Sequence, residues 1–384
     1  MNCKDCKVSR DLSSQLTAEC GYLKELEMTK RIFLGVCGFG ACCFLGLGAA
    51  AQTKPFDIYW VDVEGGAATL VVTPAGESLL VDTGNPGTRD AGRIHQVATK
   101  VAGIKKIDHL ITTHFHGDHY GGAAMLANLM PIGVVNDNGI PKKSPDRNRK
   151  NPIFPQLVKP YRDMKVDDRN VVTPGYVYPL KQAKGSAKLK VTCVVANQKV
   201  IQPPKNVRLA KNPLTGTAPA KPEDLSDNAN SVATLFELGD FRFLDSGDLT
   251  WNVEAKLVTP FNVIGTVDVY QVNHHGLDSS NNPVMINSLA PTVSVMNNGH
   301  KKGCNAGSFA ALKGAKSIQA MWQMHKNLRK DSENNTIEDF IANLTDRDGC
   351  KGHYLKLSVT ADGKTYTMSN PRNGEKVTYK TKSK

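Results

Sequence analysis

The feature that most constrains this chain is a short segment in which three histidines and an aspartate fall within six positions: His114, His116, Asp118 and His119. The segment lies between a buried strand predicted at 107–112 and a helix predicted at 121–130. Imidazole nitrogen and carboxylate oxygen are the non-sulfur ligands that zinc prefers. A tight turn can direct the first two histidines to one ion and the other two residues to a second ion. The segment therefore predicts a one- or two-zinc site, and a histidine-rich surface loop is the alternative.

The apolar pattern on both sides of this segment predicts a mixed fold of strands and helices, in the order β-β-β-α-β-α up to residue 130. Strands are predicted at 58–63, 68–73, 78–82, 107–112, 189–196, 232–238, 241–244, 267–272, 293–296, 354–359 and 365–368. Helices are predicted at 90–102, 121–130, 248–258, 284–289, 308–313 and 337–344. The apolar periodicity weakens between about 136 and 225, where Pro, Lys, Arg and Asn dominate. We interpret this stretch as a loop-rich insertion around a small sheet.

The first fifty residues have the order of a secretory signal. A basic stretch at 28–31 precedes an apolar run at 32–48, and small residues follow up to Ala51. We expect cleavage after about Ala51 and an exported, periplasmic or secreted protein, with a retained anchor as the alternative. No stable membrane span is expected after cleavage. Because residues 1–27 do not fit a signal peptide, we expect translation to start at Met28, with one domain over 52–384.

Cysteine usage and net charge add weaker constraints. Six of the nine cysteines precede the expected cleavage site. In an oxidising compartment Cys304 and Cys350 can form a disulfide, and two separate thiols are the alternative. The net charge of +12 favours anionic substrates, either small molecules or nucleic acid. The sequence predicts no particular protein partner.

The histidine segment, Thr113-His-Phe-His-Gly-Asp-His-Tyr-Gly-Gly, resembles the His-x-His-x-Asp-His signature of the metallo-β-lactamase superfamily. The resemblance extends over roughly residues 57–300. It implies an α/β (α+β) fold, the αββα four-layer sandwich, in which two sheets pack face to face between helices. The metals of that family lie at one edge of the sheets.

The same resemblance implies roles for residues outside the segment. Asp82, at the end of an early strand, is expected to support the metal loop without binding metal, and a plain turn is the alternative. Asp248 resembles the carboxylate that bridges two metals, and a helix N-cap is the alternative. One of His274 and His275 is expected to bind metal beside Asp118. The other is expected to face the substrate or act as an acid.

The sequence departs from the family at one ligand. The family supplies a further histidine between the first cluster and the bridging aspartate, but none occurs between His119 and His274. Asp227 or Asn228 could provide an oxygen ligand instead. The alternatives are that Asn228 and Ser231 hold the turn, or that the first site is weak and only one metal binds tightly.

A narrower resemblance concerns the opening strand, Trp60-Val-Asp-Val-Glu-Gly-Gly-Ala-Ala. It is similar to the corresponding strand of competence-type hydrolases, the outer-face domains of bacterial DNA-uptake channels and their soluble relatives. Bacterial phosphorylcholine esterases are also similar. The resemblance implies a free-standing hydrolase.

The implied activity is hydrolysis by a metal-bound hydroxide, since zinc lowers the pKa of its bound water toward about 7. Asp118 is expected to orient the water, and the spare imidazole of His274 or His275 to protonate the leaving group. A phosphodiester or nucleic-acid-like anion is the expected substrate. The alternatives are lactam or ester hydrolysis, an iron-dependent oxidoreductase of the same fold, and a non-catalytic binding module. Iron or manganese could replace zinc at these ligands.

Overall fold

A computed structural model of the chain describes residues 53–203 and 205–383. The expected signal peptide, its cleavage site and the start at Met28 lie outside these residues. Within the described ranges, no helix combines the length and apolar character needed to cross a membrane.

Seventeen strands and eight α-helices are present in the described residues. The strands are β1 (Phe56–Trp60), β2 (Thr69–Val72), β3 (Ser78–Val81), β4 (Ile107–Ile111), β5 (Ile132–Asp137), β6 (Asp168–Val171), β7 (Leu189–Ala196), β8 (Lys199–Val200), β9 (Ala233–Leu238), β10 (Phe241–Asp245), β11 (Val269–Gln271), β12 (Val293–Met296), β13 (Ala320–His325), β14 (Ile341–Asn343), β15 (Leu355–Val359), β16 (Thr365–Asn370) and β17 (Glu375–Lys380). The α-helices are α1 (Thr88–Gln96), α2 (Gly117–Tyr120), α3 (Ala123–Leu129), α4 (Phe154–Leu157), α5 (Lys159–Asp163), α6 (Trp251–Val258), α7 (Pro283–Leu289) and α8 (Ala306–Gly314). A π-helical turn at Val97–Val101 continues α1, and 3-10 turns lie at Asp227–Asn230, Asn273–Gly276 and Glu338–Phe340.

The strands form two mixed sheets. The order is β17-β16-β15-β1-β2-β3-β4-β5-β6 in the first sheet and β14-β13-β12-β11-β10-β9-β7-β8 in the second. Strands β3 to β6 are parallel, as are strands β10 to β14. Parallel strands end at the same edge of their sheet, where ligand sites of α/β folds collect. The turns after β3, β4, β10 and β11 carry the acids and histidines singled out in the sequence.

Apolar side chains fill three layers, one between the sheets and one beneath the helices on each outer face. Trp60 of β1 meets Phe243 of β10 edge to face across the middle layer, with ring centroids 5.6 Å apart. Ile94 of α1 packs in one outer layer and Leu257 of α6 in the other. This order of helix, sheet, sheet and helix is the predicted αββα sandwich, so the predicted fold class is confirmed.

The structure differs from the sequence interpretation in two stretches. Between 136 and 225, β6 extends the first sheet and β7 and β8 extend the second, so they do not form a small sheet of their own. The prediction of a helix at 337–344 is wrong. A 3-10 turn and β14 occupy it, because buried pairing with β13 outweighs the local helical spacing.

Candidate metal centre

Four side chains from three turns of the chain converge at one point. Asp118, His119, Asp248 and His275 each place a ligand atom within 4.8 Å of the others. Asp248 Oδ2 lies 3.1 Å from Nε2 of His119 and 3.4 Å from Nε2 of His275. Asp118 Oδ2 lies 3.5 and 3.3 Å from the same two nitrogens. The structure thus brings together residues that are more than 150 positions apart in the sequence.

The two remaining histidines of the first cluster lie beside this group. His114 Nε2 is 3.0 Å from His116 Nδ1 and 3.9 Å from Asp248 Oδ2. His274 approaches the same carboxylate oxygen, with Nε2 at 3.5 Å. Every histidine proposed from the sequence is therefore at this edge of the sheets.

Each buried ring is oriented by a partner on its outer nitrogen. His119 Nδ1 lies 2.7 Å from Asp82 Oδ2, and the same carboxylate accepts hydrogen bonds from the backbone N and hydroxyl of Thr113. His275 Nδ1 lies 3.3 Å from the carbonyl oxygen of Asn297. A carboxylate or carbonyl on the outer nitrogen is the usual support of a metal-binding imidazole. The position of Asp82 matches the supporting role expected from the sequence.

The inner nitrogens of these rings are the sites that would suit a cation. His119 Nε2 and His275 Nε2 are buried and have no hydrogen-bond partner among the described residues. A buried polar atom without a partner costs about 1–3 kcal/mol. Two such nitrogens beside two carboxylates form the donor set that a divalent metal prefers. The residues present therefore fit a metal ion.

The turn that carries His274 and His275 is held in a strained conformation. Both residues have positive φ, 53° and 55°, a backbone conformation that residues other than glycine rarely adopt. Hydrogen bonds from the backbone N of His274 to Gly247 O (3.0 Å) and from Cys304 N to His275 O (2.9 Å) hold the turn. Gly303 is required there, because a Cβ atom on it would lie 1.9 Å from His275 O. The strain aims both rings at the site.

Gly66, in the segment that begins at Trp60, allows the chain after β1 to pack closely against the metal loop. A Cβ atom on Gly66 would lie 2.5 Å from the carbonyl oxygen of Asp118. The neighbouring Ala67 donates its backbone N–H to that oxygen at 3.1 Å. The segment after β1 therefore packs directly under the metal loop, and a larger residue at position 66 would push the loop away.

The electrostatic state of the site is that of a cation-binding centre. Burial opposes charge on Asp118 and Asp248, but the neighbouring imidazoles hold the pKa of both carboxyls well below its usual value. Burial, followed by the nearby charge of His119, lowers the pKa of His114. Burial also opposes charge on His119, but the surrounding carboxylates, Asp248 first, raise its pKa well above 6.5. The carboxylates thus bring an excess of negative charge.

Asp227 and Asn228, the residues considered for the missing histidine ligand, lie in a 3-10 turn. Asp227 Oδ2 accepts a hydrogen bond from Phe115 N (2.7 Å) and its Oδ1 accepts one from Asn230 Nδ2 (2.9 Å). Both oxygens therefore accept hydrogen bonds within the turn, and a metal-binding role of Asp227 stays a prediction. Asn228 does reach the site, with Nδ2 3.2 Å from His274 Nε2.

A second cluster of potential ligands lies elsewhere, formed by Asp62, His325 and Cys350. His325 Nε2 is 2.6 Å from Asp62 Oδ1, and Cys350 Sγ is 3.0 Å from Asp62 Oδ2. Cys304 and Cys350 are both free thiols, so the disulfide alternative is wrong. Cys304 Sγ instead contacts the carbonyl oxygen of Asn334 at 2.9 Å.

A cavity of about 920 Å³ opens beside the first histidine cluster. Its floor includes His116 and Asp118. Its apolar wall is formed by Phe115, Tyr120, Met125, Phe154, Leu157 and Tyr161. Asn148, Arg149 and Asn151 line its polar side. The cavity can thus hold an apolar group next to the metal centre and an anionic group near the guanidinium.

The sequence analysis missed two charged residues of the site. Asp146 Oδ1 lies 2.9 Å from His116 Nε2 and accepts a hydrogen bond from Asp227 N. The ammonium of Lys302 forms a short ion pair with Asp118 Oδ2. Lys302 is 184 positions from Asp118, and Asp146 lies in the loop-rich stretch. No local pattern marks either residue, because tertiary packing alone places it.

Comparison with known proteins agrees with this geometry. Residues 61–170 match the family model of the metallo-beta-lactamase superfamily. A UPF0173 metal-dependent hydrolase from Cupriavidus metallidurans is 32% identical over 87 residues, which are 22% of this chain and 27% of that protein. The atrochrysone carboxyl ACP thioesterase of Passalora fulva is 36% identical over 86 residues, 22% of this chain and 24% of that one. The chain thus spans only about a quarter of the length of these relatives.

Among solved structures, CmlA, a diiron beta-hydroxylase from Streptomyces venezuelae, has 18% identity and a TM-score of 0.35. The similarity covers 64% of this chain and 45% of that one. The narrower resemblance to competence-type hydrolases stays a prediction. The family match includes the strand, turn and helix that carry the first histidine cluster, and the sheets have the order of helix and sheet layers that the family implies. The match to the metallo-beta-lactamase superfamily thus covers residues 61–170 of this chain.

Proposed function

We propose that this protein is a zinc-dependent hydrolase that acts on an anionic phosphodiester. The observation that carries the proposal is the convergence of Asp118, His119, Asp248 and His275 within 4.8 Å, with two buried imidazole nitrogens left without partners. Relatives named metal-dependent hydrolases support the same reaction class. A bound zinc ion would polarise the scissile group and lower the pKa of water.

The side chains around the metal ligands are placed to assist hydrolysis. Asp118 Oδ2 faces the imidazoles and Asp118 lines the cavity, so this carboxylate can accept a hydrogen bond from an attacking water and orient it. The Lys302 ammonium at the same oxygen can stabilise negative charge that develops on the substrate. His275 is fully buried and points inward, so we assign it to metal binding and not to proton donation.

The cations near the cavity support an anionic substrate. Arg149 lines the cavity, and Lys302 is paired with Asp118, which also lines it. Arg147, by contrast, is paired with Glu223 at 2.6 Å, so this part of the insertion offers less free positive charge than its sequence suggests. We therefore favour a small phosphodiester over a long nucleic acid.

A carboxylic ester or thioester is the second candidate, because the cavity wall is largely aromatic and aliphatic. Burial of an acyl or aryl group there would contribute roughly 25 cal/mol per Å² of apolar surface. One relative is named a thioesterase, which supports the same candidate.

The test is metal content and hydrolysis measured on one sample. The full chain is purified without added metal and assayed by mass spectrometry for zinc, iron and manganese. It is then offered bis-p-nitrophenyl phosphate, p-nitrophenyl butyrate, an acyl thioester and nitrocefin. We expect zinc, phosphodiester cleavage, loss of activity with a chelator and recovery with zinc. Cleavage of esters alone would favour the second candidate, and stoichiometric iron with oxygen consumption would favour an oxidoreductase.

Two variants make this test specific to the site. Asp118→Ala should abolish chelator-sensitive hydrolysis, whereas His95→Gln, on α1, should retain wild-type activity. A chain that binds no metal, or whose hydrolysis survives both the chelator and Asp118→Ala, would contradict the proposal and favour a non-catalytic module.

We also propose that the protein is exported, on the basis of the basic, apolar and small-residue order at 28–51. Expression in a bacterial host followed by fractionation should recover the protein outside the cytoplasm. Its amino terminus should then lie near residue 52. A cytoplasmic protein with an uncleaved terminus would contradict this proposal.

A further inference from the structure

We propose that the cavity beside the metal centre binds one ester arm of the substrate, the group attached to the phosphate through oxygen, and that this arm is an uncharged aromatic group of one or two rings. The inference rests on the proposed phosphodiesterase activity and adds the chemistry of that group. His116 and Asp118 belong to the first histidine cluster and also line the cavity. A phosphate bound at the metal centre can therefore extend an ester arm into the cavity.

Three aromatic rings form the wall of the cavity that would receive this arm. Phe115, Tyr120 and Tyr161 are buried, line the cavity and contact one another. The ring centroids of the three pairs are 5.6, 5.7 and 5.8 Å apart. Tyr161 meets the other two rings edge to face, at interplanar angles of 82° and 75°. Aromatic rings prefer such contacts at centroid distances of about 4.5–7 Å, so the ring of a ligand can extend this cluster with favourable geometry.

Hydrogen bonds fix the central ring of this wall before any ligand binds. The hydroxyl oxygen of Tyr161 lies 2.9 Å from Asp137 Oδ2 and 3.0 Å from Thr112 Oγ1. Neither of these partners is among the residues that line the cavity, so the polar end of Tyr161 is directed into the protein and its carbon atoms contribute to the wall. A wall that is already ordered loses little conformational entropy when a ligand binds, which favours affinity.

The distribution of charge along the cavity favours an uncharged arm. Most of its charged or titratable side chains already have partners, since Asp118 pairs with Lys302 and Asp146 with His116. In the described lining, Arg149 is the remaining charged residue. A nucleobase would bring a hydrogen-bonding edge that the aromatic wall cannot pair, and the loss of its hydration would cost free energy. A plain aromatic group has no such cost.

Two apolar residues of neighbouring position provide a matched pair for testing this assignment. Leu157, in α4, lines the cavity and is 50% exposed. Ile153, just before α4, is 57% exposed and is not part of the lining. An aromatic arm in the cavity would cover Leu157 and leave Ile153 in solvent. Truncation of either residue removes a similar apolar side chain from the surface, but only the change at Leu157 affects the cavity.

The experiment measures the binding of phosphate monoesters, because each of them carries a single arm. The full chain is titrated calorimetrically with 1-naphthyl phosphate, phenyl phosphate, methyl phosphate and thymidine 5′-phosphate. We expect 1-naphthyl phosphate to bind at least about tenfold more tightly than methyl phosphate, since even one methylene group in an apolar pocket changes recognition by about tenfold or more. Phenyl phosphate should lie between the two, and thymidine 5′-phosphate should bind more weakly than 1-naphthyl phosphate.

Three variants connect this preference to the cavity. Leu157→Ala should reduce the preference for 1-naphthyl over methyl phosphate about three- to tenfold, because less apolar surface is buried. Ala124 of α3 also lines the cavity, so Ala124→Phe should fill it and abolish the preference while methyl phosphate binds as before. Ile153→Ala should show the affinities of the wild type.

The outcomes separate this inference from the proposed function, because binding is measured without turnover. Equal affinities for 1-naphthyl and methyl phosphate, or a preference that survives both Leu157→Ala and Ala124→Phe, would overturn the aromatic site and leave the hydrolase proposal intact. Tighter binding of thymidine 5′-phosphate would overturn it in favour of a nucleoside arm. A variant-sensitive preference in a chain that cleaves no phosphodiester would support the aromatic site and contradict the proposed activity. Circular dichroism establishes folding, and the exposed Leu157→Ala decides the matter if Ala124→Phe does not fold.

Discussion

Two clusters in this molecule contain the same kinds of ligand, but their hydrogen bonds differ. At the candidate metal centre, His119 and His275 each keep one buried nitrogen without a hydrogen-bond partner. In the cluster of Asp62, His325 and Cys350, the central carboxylate is fully satisfied. Its oxygens accept hydrogen bonds from the backbone N of Glu64 (2.8 Å), from Arg93 (2.9 Å), and from the ring and thiol of the cluster itself.

The difference indicates which cluster suits a metal. Arg93 already supplies a positive charge to Asp62, and its guanidinium also lies 3.8 Å from Cys350 Sγ. A dication placed there would meet a cation and would have to replace existing hydrogen bonds. At the metal centre Lys302 also pairs with one carboxylate, that of Asp118, but Asp82 and Asp248 bring two further carboxylates to His119. Residue types and proximity thus identify both clusters. They differ in the nitrogen that faces the carboxylates: His325 Nε2 is hydrogen-bonded to Asp62 and only its other nitrogen lacks a partner, whereas the inner nitrogens of His119 and His275 are the unpaired ones.

The largest expected effect separates the two clusters by function. His275→Ala should remove one metal ligand and reduce hydrolysis by about 10³-fold, because a metal contributes several kcal/mol of charge stabilisation and each 1.36 kcal/mol is tenfold in rate. Cys350→Ala should leave metal content and activity unchanged. Metal analysis and kcat/KM of both variants check this. Loss of an ion from Cys350→Ala would mean that the second cluster also binds metal.

The second prediction concerns stability. Asp62→Ala leaves the buried His325 without its carboxylate and leaves the half-buried Arg93 with Glu64 alone, and removing one partner of a buried charged network costs about 3–5 kcal/mol. Urea denaturation should show this loss in the free energy of unfolding, while the metal content of the folded protein stays that of the wild type. A cost below about 1 kcal/mol would show that the network is dispensable and would weaken the contrast.

The sequence predicted the parts of the site that are local and missed those that depend on packing. The segment from His114 to His119 carries its chemistry within one turn, and Asp82 and Asp248 lie shortly after strands of clear apolar pattern. Asp146 and Lys302 lie in loops without periodicity, so their partners follow only from the folded chain.

The fold shows the same division. The strand at Leu189–Ala196 was predicted with the bounds it has, since its apolar run is continuous and mostly buried. The edge strand β6, Asp168–Val171, is polar and partly exposed, and its parallel pairing with β5 is a tertiary contact that local pattern does not contain. The segment at 337–344 has helical spacing, but its burial against β13 makes it a strand.

A third prediction uses a buried acid without a cationic hydrogen-bond partner. Glu254 accepts hydrogen bonds from Asn273 Nδ2 and from the backbone N of Asn281 and Asn282, yet burial raises its pKa from 4.5 to about 7. A raised folded-state pKa favours the folded state below the unfolded pKa, and this contribution is lost as pH rises through 7. Unfolding free energies should therefore fall by about 3 kcal/mol between pH 4.5 and 7 relative to Glu254→Gln. The exposed Glu333→Gln should match the wild-type profile, and parallel profiles for wild type and Glu254→Gln would contradict the prediction.

The smallest effect is expected at the outer partner of a proposed ligand. Asp146→Asn keeps the shape of the side chain but removes the charge that holds His116 Nε2, so the ring should be less well oriented and less basic. Loss of such a partner weakens metal binding by about 10–100-fold. Competition with a chromophoric chelator should show this loss for one ion, with the other unaffected. Asp167→Asn, at an exposed acid paired with Lys106, is the matched control. If both variants bind zinc as the wild type does, Asp146 has a structural role like that of Asp62, whose oxygens are fully hydrogen-bonded. Hydrogen bonding between an acid and an imidazole would then not be enough to identify a metal site.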